Sequence, residues 1–418
     1  MFNVSILTIG DEICIGQVVN NNASWIAAQC TQLGAKVHMH STIGDEKDAM
    51  KLEIARLLKS SDFVITTGGL GPTHDDITKL VLADYFGDEL AFHEATLNYL
   101  TENYKKRGIA MLERNRQMAL IPKSARVLPN RIGSAPGLLF EQDGKFLVAL
   151  PGVPAEMRYI MTDSVLPMIQ ELMIEKKSDI LLYKTIQTAN IAESVLAERL
   201  GEPDEFLGKG NTLAFLPSYR GLRLRIGVAS QDFESAQIEL SRIEKHIRDK
   251  AEKYIFAVGD ETITGKIAQL MLEKNKTISV AESCTGGMLG GELTAIAGSS
   301  SYFSGGAIVY SNEAKINILD VNPETIEKHG AVSSETACEL AKNVRVKFNT
   351  DFGISITGIA GPGGGTSEKP VGTTYIGLAD AESVYAEKFV FTDDRIINRE
   401  IAVGRALGMI YQKLTEQK

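Results

Sequence analysis

Phe63-Val64-Ile65-Thr66-Thr67-Gly68-Gly69-Leu70-Gly71-Pro72-Thr73-His74-Asp75-Asp76-Ile77-Thr78 is the stretch on which the reading of the fold turns. An apolar run of strand length, beginning at Asp62, stops at glycines and gives way to helical spacing. Strands that end in a loop and feed a helix are the junctions of βαβ units. The upstream sequence repeats the pattern. Val4 to Ile9 is a continuous apolar run, and residues 21–33 have helical spacing (Ala23, Ile26, Ala27, Leu33). Ala35 to Ile43 alternates as a strand does, and Leu52, Ala55, Leu57 and Leu58 mark a second helix. The order strand, helix, strand, helix, strand predicts a largely parallel sheet. Downstream, more helix is expected to about residue 118. A hairpin follows over 138–150 with its turn at Asp143-Gly144, then a helix from about Ala155.

The charge-rich Glu175-Lys176-Lys177-Ser178-Asp179 reads as a boundary. After it come a strand (Ile180–Gln187), a helix (Ile191–Leu200), a hairpin and a long helix (Phe233–Lys253), together a small α+β domain. In its second hairpin strand Leu222, Leu224, Ile226 and Val228 alternate with Arg223, Arg225 and Gly227. A second boundary near Gly259-Asp260 opens another α/β region. Helices are expected at 262–274 and 334–347, and strands at Thr277–Ala281, near Ala307–Tyr310 and at Phe352–Thr357. A glycine loop, two more strands and a terminal helix complete it. The expected domains are 1–175, 176–258 and 259–418, each long enough to bury a core.

Lys+Arg 44 against Asp+Glu 53 gives a net charge of −9. Such a chain has no global attraction for a phosphate backbone, which argues against nucleic acid as a partner. Cys14, Cys30, Cys284 and Cys338 include no CxxC, so neither a zinc ribbon nor a thioredoxin motif is encoded, and a disulfide framework is not expected. No basic segment precedes the first apolar run, and no run of ~18 apolar residues could span a bilayer. The expectation is a cytoplasmic protein with no membrane partner.

Two clusters carry the candidate chemistry. In the opening stretch the Rossmann pattern fails, because His74 stands where a third glycine belongs, and there is no Walker A sequence. Glycines there let backbone N–H groups approach an anion, and a helix amino end favours phosphate. Asp75 and Asp76, expected in the first helical turn, either complement the helix dipole or serve a Mg²⁺-type oxygen site beside a phosphate. Asp11, Glu12 and Asp45 also follow strand ends, where open α/β sheets place their ligands. The second cluster is Ala281-Glu282-Ser283-Cys284-Thr285-Gly286-Gly287, again at a strand end before a helix. Ser283 is expected there as an exposed hydroxyl near N–H groups able to hold an oxyanion. It belongs to no GxSxG elbow, and the only histidine of the region is His329. A serine nucleophile without histidine needs another base, usually a lysine of lowered pKa. Tyr310-Ser311-Asn312-Glu313-Ala314-Lys315 offers a tyrosine and a lysine just past a strand end. The competing readings are a helix N-cap for Ser283 and a solvated side chain for Lys315. Cys284 is either a rival nucleophile or a small buried apolar group. The glycine-rich loop from Gly358 to Pro370 is either a mobile linker or a flap over a nucleotide phosphate.

The first cluster resembles the signature of the molybdopterin-binding, MogA/MoaB-like fold, and more narrowly the amino-terminal domain of the CinA (competence/damage-inducible) family. Gly10-Asp11-Glu12-Ile13, Asn130-Arg131-Ile132-Gly133-Ser134-Ala135-Pro136-Gly137 and Leu150-Pro151-Gly152-Val153-Pro154-Ala155-Glu156-Met157 support it, in order, over about 170 residues. Cys14, the Asn20-Asn21-Asn22 run and Ser134 depart mildly from the pattern. The resemblance implies a three-layer α/β domain that hydrolyses ADP-ribose with a divalent metal (Mg, Mn or Co). It implies Asp45 and Asp76 as catalytic residues. Gly68, Gly69, Gly71, Thr73, Asn130 and Gly133 would contact substrate, and Asp11, Asp75 and Asp76 are the metal candidates. Glu282 to Gly287, Tyr310 to Lys315 and Thr357-Gly358-Ile359-Ala360-Gly361-Pro362 resemble the family's carboxy-terminal domain, which is similar to the stand-alone nicotinamide mononucleotide deamidase PncC. That likeness implies Ser283 as nucleophile, Lys315 as base, Tyr310 as its partner and Thr357 assisting at the amide, with no metal. Thr285, Gly286, Gly287, Gly358 and the phosphate-binding Arg399 would hold substrate. The whole would be a bifunctional pyridine-nucleotide hydrolase and a homodimer. Rival readings are an amino-terminal pocket that only binds molybdopterin or nucleotide, and a competence-associated nucleic-acid factor. The family's middle domain resembles a KH module, yet Gly208-Lys209-Gly210-Asn211 does not fit the GxxG clamp, so subunit contact or spacing is expected of it. His38 and His40 share one strand face without a third metal ligand, and Trp25 is expected in the core.

Overall fold

The structure, a computed structural model, describes residues 1–416. Its strands are β1 (Asn3–Ile9), β2 (Lys36–Ile43), β3 (Phe63–Thr67), β4 (Leu90–Phe92), β5 (Leu120–Pro122), β6 (Arg126–Leu128), β7 (Gly137–Gln142) and β8 (Lys145–Leu150) in the first region. The middle region holds β9 (Ile180–Thr188), β10 (Thr212–Ser218), β11 (Gly221–Ser230) and β12 (Ile255–Val258). The last region holds β13 (Ile278–Glu282), β14 (Phe303–Ile308), β15 (Phe352–Gly358), β16 (Thr373–Ala379) and β17 (Val384–Val390). By its contacts the chain forms two compact units. One is Met1–Tyr183 with Gly227–Glu239; the other is Lys184–Ile226 with everything from Leu240 onward.

The first sheet runs β2-β1-β3-β8-β7-β6, parallel from β2 through β8 and closed by the β7–β8 hairpin. Asp143 (φ 51°) and Gly144 (φ 69°) turn that hairpin where the sequence placed the turn. Alternate residues serve opposite faces. Val4, Ile6, Phe63 and Ile65 pack with Ile26, Met157 and Ile160, while Leu7, Ile9 and Val64 pack with Met50, Ile54 and Val81. This is a three-layer α/β/α arrangement, because both faces of the sheet are apolar and each needs a helical cover. The helix Lys47–Ser60 buries Met50, Ile54 and Leu57, whereas Leu52 and Ala55, read as its core-facing marks, point outward. The long helical stretch expected to residue 118 is broken into Thr78–Tyr85, Glu94–Lys106 and Glu113–Arg116, with β4 pairing β5 between and after them. The helix from Pro154 widens into a π turn at Met161–Val165 just before Pro167, which cannot donate to the preceding turn. Trp25 is half-buried on the core under Arg158, while His38 and His40 are exposed.

The last sheet runs β14-β13-β15-β16-β17, parallel over its first three strands and antiparallel beyond. Ile263–Glu273 and the terminal helix Arg395–Glu416 cover one face, and Ser334–Phe348 covers the other. The middle strands form the sheet β10-β11-β9-β12. Gly208 and Gly210 lie in the turn before β10, where Asn211 Nδ2 donates to the Leu207 carbonyl. All four cysteines are free thiols. Among the described residues no helix is long and apolar enough to cross a membrane.

Candidate active sites

Both parallel sheets gather polar side chains at the carboxyl ends of their strands, the usual ligand edge of such folds. In the first unit a cavity of about 420 Å³ opens there, between the ends of β1, β3 and β8. Gly68, Gly69, Gly71, Glu12, Asp45, Asp75, Asp76 and Glu156 all line it. The glycines are required by packing. At Gly68 (φ +115°) a Cβ would sit 2.1 Å from the Ile9 carbonyl oxygen, and at Gly69 (φ +69°) 2.1 Å from Thr78 Oγ1.

The local geometry corrects several sequence-based expectations. The helix begins only at Thr78, so Asp75 and Asp76 lie in the loop before it rather than in its first turn. Asp76 turns back and accepts from the N–H (2.9 Å) and hydroxyl of Thr73, which takes the Thr73 amide away from any ligand. The Gly68 N–H is likewise engaged by the Leu150 carbonyl at 3.0 Å. Asn130 and Gly133 do not face the cavity directly. Asn130 donates to Glu156 (2.5 Å) and accepts from the Gly133 N–H (3.0 Å), so they act on the cavity wall through Glu156. Asp11 and Asp45 exchange backbone-to-carboxylate bonds (3.2 and 3.3 Å), tying the loops after β1 and β2 together. Burial pushes the Asp45 carboxyl above the usual carboxylate range, against the N–H bond from Asp11. The charges of Asp11, Glu12 and Asp75 add to the rise. Among the described residues no three His, Cys, Asp or Glu side chains are grouped to hold a metal ion by themselves. Asp11, Asp45 and Asp76 each accept from a loop amide, which uses only part of a carboxylate's acceptor capacity. Glu156, inside a quoted motif but given no role there, and Asn22, which donates to Thr67 Oγ1 and the Gly152 carbonyl, belong to this cavity as well.

In the second unit Ser283 directly follows β13, Thr357 lies on β15, Tyr310 is in the turn after β14, and Lys315 is on the helix Asn312–Leu319. Lys315 Nζ stands 3.2 Å from Ser283 Oγ and donates to the carbonyls of Val309 (2.9 Å) and Tyr310 (3.2 Å). Lys315 is 1% exposed and Ser283 7%, so neither the solvated lysine nor the exposed serine applies. Burial holds the Lys315 ammonium below the ordinary lysine range. A third carbonyl, that of Ser311, lies 3.5 Å from Nζ; a neutral amine at this position has two N–H groups for the nearer carbonyls and a lone pair for the serine hydroxyl. Ser283 is not an N-cap, since the next helix starts at Met288 and Gly287 occupies its cap. Burial pushes the Cys284 thiol up to about 11, which suits the buried apolar role rather than a thiolate.

The partners differ from those inferred. The Tyr310 phenol accepts from Arg395 Nη2 (3.0 Å), and Lys315 meets Tyr310 only at its main-chain carbonyl. Thr357 Oγ1 donates to the Ala331 carbonyl at 2.8 Å. Arg399 Nη2 reaches the Thr285 carbonyl at 2.9 Å, so the terminal helix does approach the nucleophile loop. The loop after Gly358 is pinned rather than free. The Ile359 N–H donates to the Thr373 carbonyl and the Gly372 N–H to the Ile359 carbonyl (both 2.8 Å), and Arg395 donates to the Gly361 carbonyl.

Sequence reading gave no role to Glu282. Its buried carboxylate accepts from the N–H groups of Gly287 (3.0 Å), Leu289 (3.1 Å) and Gly290 (2.8 Å). The helix amino end thus holds the chain's own anion. The Gly286 N–H is on the Ser283 carbonyl and the Gly287 N–H on Glu282, so two of the three amides expected to hold an oxyanion are already engaged. Thr285 Oγ1 and Arg399 Nε are buried without a partner. Such atoms cost about 1–3 kcal/mol each until something pairs them, and both border the Ser283 loop.

A curated relative, the CinA-like protein of Chloroherpeton thalassium, is 40% identical over 98% of each chain. This chain belongs to the CinA family. The CinA-like protein of Salinibacter ruber is 39% identical over 96% of this chain and 97% of its own. A protein described as a putative competence-damage inducible protein, from Caldicellulosiruptor bescii, is 37% identical over 98% of this chain and 99% of its own. Three family models match in series: a probable molybdopterin binding domain at 5–171, the damage-inducible protein CinA KH domain at 183–257, and the CinA C-terminal domain at 260–414. In this CinA chain the cavity of the first unit lies within the first match, and the Ser283–Lys315 pair within the last.

Proposed function

We propose that this protein is a two-site hydrolase of pyridine nucleotides, with its activities divided along residues 1–175 and 259–418. The observation that carries the second site is the buried Ser283–Lys315 pair with a lysine held below its ordinary range. In nicotinamide mononucleotide, Ser283 Oγ attacks the carboxamide carbon as its proton passes to Lys315 Nζ. The amides of Cys284 and Thr285 steady the oxyanion. Lys315 returns the proton to the departing nitrogen, ammonia leaves, and water opens the acyl-serine to nicotinate mononucleotide. Arg399, with its unpaired Nε, receives the substrate phosphate.

In the first site the substrate is ADP-ribose, cleaved to AMP and ribose 5-phosphate. Its pyrophosphate lies over Gly69 to Gly71, where the cavity floor is backbone. Asp45 and Asp75 would hold a divalent ion (Mg, Mn or Co) jointly with the phosphate oxygens, which suits the absence of a protein-only chelate among the described residues. When bound, such an ion would offset the repulsion between pyrophosphate and the carboxylates. The engagement of Asp76 and of the Gly68 N–H by the protein's own groups favours a second reading for this site alone, retention of a nucleotide or molybdopterin without turnover. Incubating the full chain with nicotinamide mononucleotide and with ADP-ribose, with and without EDTA, tests the assignment. Ammonia release from the first compound and AMP release from the second are expected. No AMP at any metal concentration would leave the first site as a binding pocket, and no ammonia would overturn the second.

A further inference from the structure

The middle module has no assigned task, and its hairpin tip between β10 and β11 ends on the terminal helix of the same unit. Arg220 at that tip makes three bonds. Nη1 donates to the Glu400 main-chain carbonyl (2.8 Å), and Nη2 meets the carboxylates of Glu400 (2.9 Å) and Glu292 (2.6 Å). Glu292 sits on Met288–Thr294, the helix that follows the Ser283 loop, and its other oxygen accepts from Thr264 at 3.3 Å. Glu400 follows Arg399 directly.

The backbones are as close as side chains allow. A Cβ on Gly404 would lie 2.0 Å from the Tyr219 carbonyl oxygen, and one on Gly408 would lie 2.1 Å from Asn190 Oδ1. Positions 400, 404 and 408 are one turn apart, so a single stripe of the terminal helix faces the middle module. Arg395 and Arg399, one turn apart on another stripe, reach the Tyr310 hydroxyl and the Thr285 carbonyl.

We propose that Arg220 is a positioning residue for the carboxamide site: the middle module acts as a brace that sets the two helices holding Arg399 and the nucleophile loop. The proposal rests on the Ser283 assignment and on Arg399 as the phosphate contact. Only a guanidinium can engage both carboxylates and the carbonyl at once, so lysine replaces it in part. The brace acts on where the phosphate is held rather than on the Ser283–Lys315 pair, which is fixed by the end of β13 and by the helix Asn312–Leu319. Its loss therefore appears in substrate binding.

The test uses the full chain and nicotinamide mononucleotide. Arg220→Ala should raise KM about tenfold, equivalent to 1.4 kcal/mol, with kcat within twofold, and Arg220→Lys should fall between the two. Inorganic phosphate, which occupies only the arginine end, should weaken as a competitive inhibitor in parallel. Gly404→Ala separates the same surfaces by steric means and should raise KM in the same way. Loss of fold alone would lower active-enzyme concentration and hence kcat, leaving KM and phosphate inhibition unchanged. If wild type releases ammonia and folded Arg220→Ala and Gly404→Ala keep KM and phosphate inhibition within twofold of it, the brace is refuted. If wild type releases none, the Ser283 reading fails first, and the brace falls with it.

Discussion

The two candidate sites sit at the same edge of similar parallel sheets and differ in how complete they are. Around Ser283 the groups are buried, close and already bonded: Lys315 touches the nucleophile and Glu282 fills the neighbouring helix amino end. Around Asp45 the site is an open cavity with at least five carboxylates on its wall, several of them exposed to water. Desolvation favours the neutral amine of a lysine, so the first arrangement already holds the base that its proposed function requires. Gathered carboxylates repel both each other and a pyrophosphate, which is why the function proposed for the second arrangement includes a cation.

The largest expected effect tests whether the second unit is self-sufficient. Ser283→Ala should lower ammonia release at least ~1000-fold and leave ADP-ribose cleavage unchanged, as followed by coupled ammonia and AMP assays. Residual activity near wild type would erase the contrast between the sites. Lys315→Arg should be almost as damaging, because arginine stays protonated.

The pH dependence sharpens this point. In the proposed mechanism Lys315 acts as the free amine, and burial lowers its pKa, so kcat/KM for deamidation is expected to rise with pH through one ionisation below the ordinary value of ~10.4 and level off above it. Below that ionisation the ammonium form dominates and the rate falls. A profile still climbing past pH ~10.4 would show a lysine that burial has not tuned.

Next in size is the metal contrast. EDTA, or Asp45→Asn, should depress AMP release about 100-fold and leave ammonia release within twofold. Equal sensitivity of the two activities would break the division. The smallest effect concerns scaffolding. Glu282→Gln leaves one acceptor oxygen for three N–H groups, so at least one buried donor is orphaned at a cost of about 1–3 kcal/mol. A drop of a few degrees in the thermal midpoint is expected, measured by differential scanning calorimetry. An unchanged midpoint would mean those amides have other acceptors. Cys284→Ala should keep deamidation within about threefold, since its thiol stays protonated.

Local pattern was enough to read the strand–loop–helix order, the β7–β8 turn and the residue types at both strand edges. Apolar periodicity and turn chemistry act over a few residues, so they are written in the chain itself. A serine without a histidine admits a lysine as one substitute, but the choice of Lys315 comes from the family resemblance, since a lone lysine reads equally as a solvated side chain. What only tertiary structure decided is which polar group meets which. Asp76 turns to its own loop, the Tyr310 phenol goes to Arg395 instead of Lys315, and Glu282 takes helix-end amides that are otherwise open to an anionic ligand. Arg220 meets Glu292 and Glu400, 72 and 180 residues away. Each pairing depends on where loops and helices far apart in sequence come to rest, and no periodicity or motif spacing encodes a hydrogen-bond partner chosen at that range.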